Sequence, residues 1–208
     1  MDTIFPAGRL CAGETATGLY LSPISIPLNQ GFTVRPQVGA ALEDFQVQSW
    51  LKSNRRLLCI AAAILAVIHP TQYNTGMAVL EAIQSNPEKV STESFFKEIL
   101  SGWGCPFTQF VVTSNSKVSL FRSRRGRRNW LDLLLGFGRY TGGSVILPDI
   151  EMGFEYKAGT AIAIGTRILR HAVLATTSGD RMSFKFYIRK DMAQWIDANI
   201  PESFSQFG

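Results

Sequence analysis

The sequence predicts an α+β domain, a double-sheet jelly roll or barrel covered by a helical layer, and three observations lead to it. Apolar residues recur at three-and-four spacing before residue 70, and the period switches to two after Trp103. Gly138, Gly142, Gly143, Gly153, Gly159, Gly165 and Gly179 then cut the second half into short segments at nearly regular spacing. With 208 residues and 46% hydrophobic content the chain can bury one sizeable core, so a single domain is expected.

Residues 1–40 read as a loop-rich arm whose strands must be short, because Pro6, Gly8, Gly13, Gly18, Pro23, Pro27, Gly31, Pro36 and Gly39 punctuate it. The folded domain is expected over 41–208. From Leu42 to Ile68 the pattern is helical, with Leu57, Ile60, Ala61, Ile64, Leu65 and Ile68 on one face, and Pro70 stops that helix. A short second helix is predicted over Met77 to Ile83. A third is predicted over Ser94 to Leu100, capped by Ser91 or Thr92, with Phe95, Phe96, Ile99, Leu100 and Trp103 inward. Strands are predicted at Phe110 to Thr113, Ser144 to Leu147, Ala161 to Ile164 and Arg181 to Arg189. In the last, Met182, Phe184, Phe186 and Ile188 alternate with Arg181, Ser183, Lys185 and Arg189.

Composition excludes several classes. The longest apolar run, Cys59 to Ile68, is half of the roughly 20 residues that cross a bilayer, so a buried helix is expected and no membrane partner. Met1 to Pro6 offers neither a basic nor an apolar leader, so the protein is expected inside the cell. Cys11, Cys59 and Cys105 are odd in number and lack C-x-x-C spacing, which argues for reduced thiols over a disulfide framework or a zinc knuckle. The formal charge of +5 is local: Arg122, Arg124, Arg125, Arg127 and Arg128 account for all of it.

The stretches AVIHP (66–70), SN (114–115), NWLDLLLGFGRYTGG (129–143), YKAGTAIAIGTRILRHAV (156–173) and GDRMSFKFYIRKDMAQW (179–195) occur in an order and spacing that resembles 2-oxoglutarate/Fe(II) dioxygenases. More narrowly, they resemble fungal members of the TET/JBP-like family, which oxidise methylated bases in nucleic acid. The resemblance covers most of the chain beyond residue 55. It implies a double-stranded β-helix backed by N-terminal helices, with Fe(II) and 2-oxoglutarate as cofactors. His171 matches the distant histidine of the iron triad. Arg181 and Ser183 match the R-x-S pair that holds the far carboxylate of 2-oxoglutarate, and strand alternation puts both on one face.

The departure lies at the first two ligands. Phe121-Arg122-Ser123 stands where such enzymes carry His-x-Asp. Phe offers iron no lone pair, a neutral Ser hydroxyl is a poor substitute for a carboxylate, and residues 110–130 contain no His, Asp or Glu. Asp132 is the nearest replacement in sequence but belongs to the following block. His69, the second of two histidines, ends a helix away from the metal motif. The leading expectation is therefore a pseudoenzyme that binds neither cofactor productively, with His171 a vestigial ligand or an ordinary pocket histidine. An active dioxygenase with replacement ligands, or a decayed mobile-element-associated copy, are the alternatives.

SRRGRRN at 123–129 supplies the cations for phosphate contact, with Gly126 giving the loop freedom; a solvated loop or a nuclear-import patch is the competing reading. The resemblance favours nucleic acid as partner, through Arg122, Arg124, Arg125, Arg127 and Arg128, and the nucleus over the cytoplasm. Trp103, Trp130 and Trp195 sit among apolar residues and read as core. GFGRYTGG precedes no helix, so it is not read as a phosphate loop.

Overall fold

The computed structural model describes residues 13–25, 32–38, 45–86 and 102–199. In chain order the elements are β1 (Gly13–Ser25), β2 (Phe32–Val38), α1 (Phe45–Ser53), α2 (Arg55–Ile68), α3 (Pro70–Ser85), β3 (Gln109–Ser114), β4 (Val118–Phe121), β5 (Asp132–Gly142), β6 (Ser144–Leu147), β7 (Met152–Glu155), β8 (Ala161–Ile164), β9 (His171–Val173), β10 (Thr176–Tyr187) and α4 (Lys190–Asn199). The strands form a large antiparallel sheet, β2-β1-β3-β10-β5-β8, and a smaller one, β4-β9-β6-β7. The expected α+β class is what is observed, with two packed sheets and a helical layer.

Pro70 both ends and starts a helix. It holds His69 out of the helical region, at φ −150° and ψ 71°, which closes α2. Lacking an N–H, it then opens α3 at no cost, while His69 Nδ1 accepts from the Gln72 amide at 3.2 Å as the cap. The single helix expected up to residue 68 is broken at Asn54, whose side-chain amide donates to the Trp50 carbonyl at 2.8 Å. The helix expected over Met77 to Ile83 is longer, because polar Thr71, Gln72, Asn74 and Thr75 form its first turns. The helix expected over Ser94 to Leu100 lies outside the described residues.

The expectation of short strands in the arm is corrected: β1 is 13 residues long. Gly13 to Gly18 pair with β3 and Leu19 to Ser25 with β2. Pro23 therefore has one neighbouring strand, and Pro36 lies on the edge strand β2, so neither missing N–H interrupts a central ladder.

Two apolar layers flank the large sheet. Phe110, Leu133, Leu135, Phe184 and Phe186 pack with Leu58, Leu65, Val79 and Ile83 of the helices and Met192 and Ile196 of α4. Trp103 and Trp130 are buried in that layer and Trp195 packs against it. Leu134, Val145, Leu147, Tyr156, Ile164 and Val173 fill the space between the sheets. Helix α3 approaches closely at Gly76, where a Cβ would stand 2.2 Å from the Pro106 carbonyl oxygen.

Candidate functional site

A cavity of about 380 Å³ opens between the sheets. The large sheet contributes Val111 and Thr113 of β3, Leu134 of β5 and Ser183, Lys185 and Tyr187 of β10; the small sheet contributes Phe121, His171 and Val173. The exposed residues Arg122, Arg124 and Arg125 form its rim.

Period-two alternation in β10 sends Phe184 and Phe186 toward the helices and Ser183, Lys185 and Tyr187 toward the cavity. Arg181 lies on this second face but behind the cavity wall. Its side chain is buried, donates to the Leu174 carbonyl at 3.0 Å and the Ser116 carbonyl at 2.7 Å, and lies 5.9 Å from the Tyr140 and Tyr156 rings. None of the ion pairs between described residues involves it. Burial pulls its pKa down. Gly143, at φ +75°, makes room for the guanidinium, since a Cβ there would stand 2.4 Å from Nη1.

His171, at 1% exposure, is paired in register with Phe121 across β4 and β9. The two rings lie 4.4 Å apart at 51°. Its Nδ1 has no close hydrogen-bond partner among the described residues, although the Leu169 backbone interacts with the imidazole. Burial lowers its pKa to about 4, helped by the Lys185 ammonium and opposed by the Leu169 backbone, so the ring is neutral at pH 7. Ser123 is buried, and its hydroxyl makes a long contact of 3.5 Å with the Arg125 amide.

Lys185 and Asp132 were not paired by sequence reasoning. They lie on adjacent strands of the large sheet, with Lys185 Nζ 3.0 Å from Asp132 Oδ2. Thr166 donates to the same carboxylate at 2.6 Å. The Lys185 ammonium also lies 5.1 Å from the Phe121 ring and 5.6 Å from the Tyr187 ring. The carboxylate considered as a replacement iron ligand is thus engaged by a cation and a hydroxyl.

Tyr156 was also missed, since a lone tyrosine beyond a strand end carries no pattern. Its ring is fully buried, and burial pushes its pKa up while the neighbouring Ser183 hydroxyl, which hydrogen-bonds to it, holds it down; neither hydroxyl has another partner among the described residues. Both residues line the cavity.

These residues do not fit a facial iron triad. Phe121 presents an aromatic face to the imidazole, Ser123 offers a neutral hydroxyl, and a fixed ammonium stands beside the same ring. Among the described residues no three His, Cys, Asp or Glu side chains are grouped as a metal would need.

The arginine run is divided by its surroundings. Arg125 donates to the Tyr187 hydroxyl at 2.8 Å, Arg127 lies 4.8 Å over the Trp130 ring, and Arg122 is 3.7 Å from Asp149. Arg124 and Arg128 are exposed and their side chains form no ion pair or hydrogen bond among the described residues. Gly126 does not adopt positive φ and is buried, so the freedom expected of it is not what shapes the loop. Beyond the run, His69 Nε2 donates to the Asn129 carbonyl at 2.8 Å. Gln72 both donates to the Leu131 carbonyl and accepts from its amide, each at 2.8 Å.

Comparison with known proteins agrees with this architecture. Residues 42–190 match the family model Tet_JBP, described as the oxygenase domain of the 2OGFeDO superfamily. No curated protein matches the chain. Among solved structures, NgTET1 in complex with 5mC DNA is similar at a TM-score of 0.58 and 14% identity, over 86% of this chain and 62% of that one. The chain thus spans less than two thirds of NgTET1. A Cupin 2 conserved barrel domain protein from Salinispora arenicola is similar at a TM-score of 0.30 and 12% identity, over 43% of this chain and 70% of that one, and carries no argument.

Proposed function

Because the chain belongs to the Tet_JBP family, the oxygenase domain of the 2OGFeDO superfamily, we propose that it is a nucleic-acid-binding module that keeps the oxygenase scaffold without its iron-dependent oxidation. The observation that carries this is the Phe121–His171 pair. In strand register the first ligand position faces the surviving histidine, and an aromatic ring fills that place. With Asp132 held by Lys185 and Thr166, no three His, Cys, Asp or Glu side chains among the described residues are grouped to hold a metal.

Support for nucleic acid comes from the rim. Arg122, Arg124, Arg125, Arg127 and Arg128 are all exposed, the first three at the cavity mouth, and the DNA complex of NgTET1 gives the fold a precedent for that partner. A nuclear location accords with this reading. Among the described residues no helix is long and apolar enough to cross a membrane.

The test is anaerobic Fe(II) titration of the folded protein with 2-oxoglutarate, following the visible charge-transfer band of chelated cosubstrate, alongside mobility-shift titration with methylated and unmethylated DNA. The expected result is DNA binding that weakens steeply with salt, and no band. A saturable band that disappears in His171→Ala would overturn the loss of oxidation, and absence of DNA binding at low salt would overturn the binding role.

A further inference from the structure

A single exposed apolar side chain is ordinary on a protein surface, and its surroundings decide whether it carries meaning. Ile168 is 54% exposed in the turn that joins β8 to β9. Its neighbour Leu169 does the packing there, against the apolar layer between the sheets, so Ile168 is left facing water. The turn itself is held at both ends. The Ile168 and Leu169 amides donate to the Gly165 carbonyl, each at 2.9 Å, and the Thr166 hydroxyl donates to buried Asp132. On the far side Asp149 accepts from the Arg170 amide at 2.6 Å and from its guanidinium at 2.7 Å.

Cations from two loops surround this isoleucine. The turn lies along the arginine loop, since the Ser123 amide donates to the Thr166 carbonyl at 2.9 Å and the Arg167 guanidinium to the Arg124 carbonyl at 3.3 Å. Asp149 joins the other flank, because its carboxylate meets Arg170 and, at 3.7 Å, Arg122. Ile168 thus stands among Arg122, Arg124, Arg167 and Arg170, four guanidiniums against one carboxylate. Phosphate oxygens satisfy guanidiniums but offer nothing to a branched hydrocarbon. A nucleic acid supplies both chemistries, phosphates outside and apolar base faces one step inward, and apolar side chains do enter base steps where proteins kink a duplex. An anionic membrane pairs the same chemistries, but insertion there takes a broad apolar face and not one side chain.

We infer that Ile168 is a wedge: when the surrounding arginines engage phosphates, its side chain enters the stack between adjacent base pairs and loosens the duplex at that step. This rests on the nucleic-acid reading of the arginine rim, and it adds a contact to bases where phosphate contacts alone carry no sequence information. Because the turn is held, the side chain reaches the duplex already oriented. Steps that unstack at least cost, such as a mismatch, are therefore preferred.

The experiment is titration of the whole chain into duplexes carrying 2-aminopurine beside a mismatch or beside a matched pair, read by anisotropy and by 2-aminopurine emission, for wild type, Ile168→Ser and Ile168→Phe. Wild type is expected to raise the emission and to bind the mismatched duplex about tenfold tighter. Ile168→Ser should lose both effects while keeping the salt slope, since no cation is removed, and Ile168→Phe should retain both. DNA binding without a rise in emission, or with a rise that Ile168→Ser keeps, would overturn this proposal alone. No DNA binding at low salt would overturn it together with the nucleic-acid role. Ile168-dependent binding to phosphatidylserine vesicles, with 2-aminopurine emission unchanged, would overturn it and reassign the turn to a membrane surface.

Discussion

Lys185 and Asp132 offer the sharpest energetic test of the site. At 3.0 Å, opposite unit charges attract by ~5 kcal/mol at an effective dielectric near 20. Desolvation of a carboxylate at 5% exposure offsets part of this, and the Lys185 side chain, at 20%, keeps some contact with water. Lys185→Met leaves Asp132 with Thr166 as its remaining side-chain partner, and a loss of ~3 kcal/mol is expected. Asp132→Asn keeps an acceptor for Thr166 and strands a more accessible ammonium, so ~2 kcal/mol is expected. The double variant carries neither buried charge and should lose ~2 kcal/mol, not the sum, giving an interaction energy of ~3 kcal/mol. Urea denaturation of the four proteins with matched m-values measures this. Single losses that add to within ~0.5 kcal/mol would refute the reasoning, because the two groups would then act independently.

Three further outcomes are expected. Gly76→Ala should destabilise by ~2 kcal/mol despite the better helix former, since the new methyl would meet the Pro106 oxygen at 2.2 Å and Ile188 Cδ1 at 2.8 Å; unchanged stability in urea would show that α3 sits farther from that loop. His171 has a folded pKa of about 4 against an ordinary 6.5, so its contribution is fully present above pH 6.5 and is lost as pH falls through 4. That interval is worth ~3 kcal/mol; stability curves of wild type and His171→Gln should converge by this much on acidification, and parallel curves would contradict it. Removing Arg124 and Arg128 together should make the salt dependence of DNA binding shallower by about two in log–log slope, with stability within ~0.5 kcal/mol of wild type. An unchanged slope would place the phosphate contacts elsewhere.

Legibility in the sequence followed the physics of each element. β6 and β8 have the edges that glycine punctuation predicts, and β10 was readable because its two faces meet different surroundings, phenylalanines against helices and polar side chains against a cavity. β5 was not read as a strand. Leu133 and Leu135 face the helices and Leu134 the gap between sheets, so a strand covered on both sides shows no alternation. The lengths of β1 and β2 were hidden by Pro23 and Pro36 respectively, whose tolerance depends on how each strand is paired. Within the site, alternation placed Arg181 and Ser183 on one face, and composition exposed the absence of acids near residue 121. The Lys185–Asp132 pair spans 53 residues and joins neighbouring strands, information that no local pattern holds.

The contact between His69, Gln72 and the backbone of Asn129 and Leu131 bears on how small a working piece of this protein can be. The arginine loop leaves β4 at one end and is fastened at the other to the first turn of α3, so the helices hold one of its two abutments. An excised β-sandwich would keep every arginine and lose the frame that spaces them. The minimal unit able to present this rim to a phosphate backbone therefore starts no later than α3, and a loop grafted onto another barrel would need a matching pair of anchors to reproduce its shape.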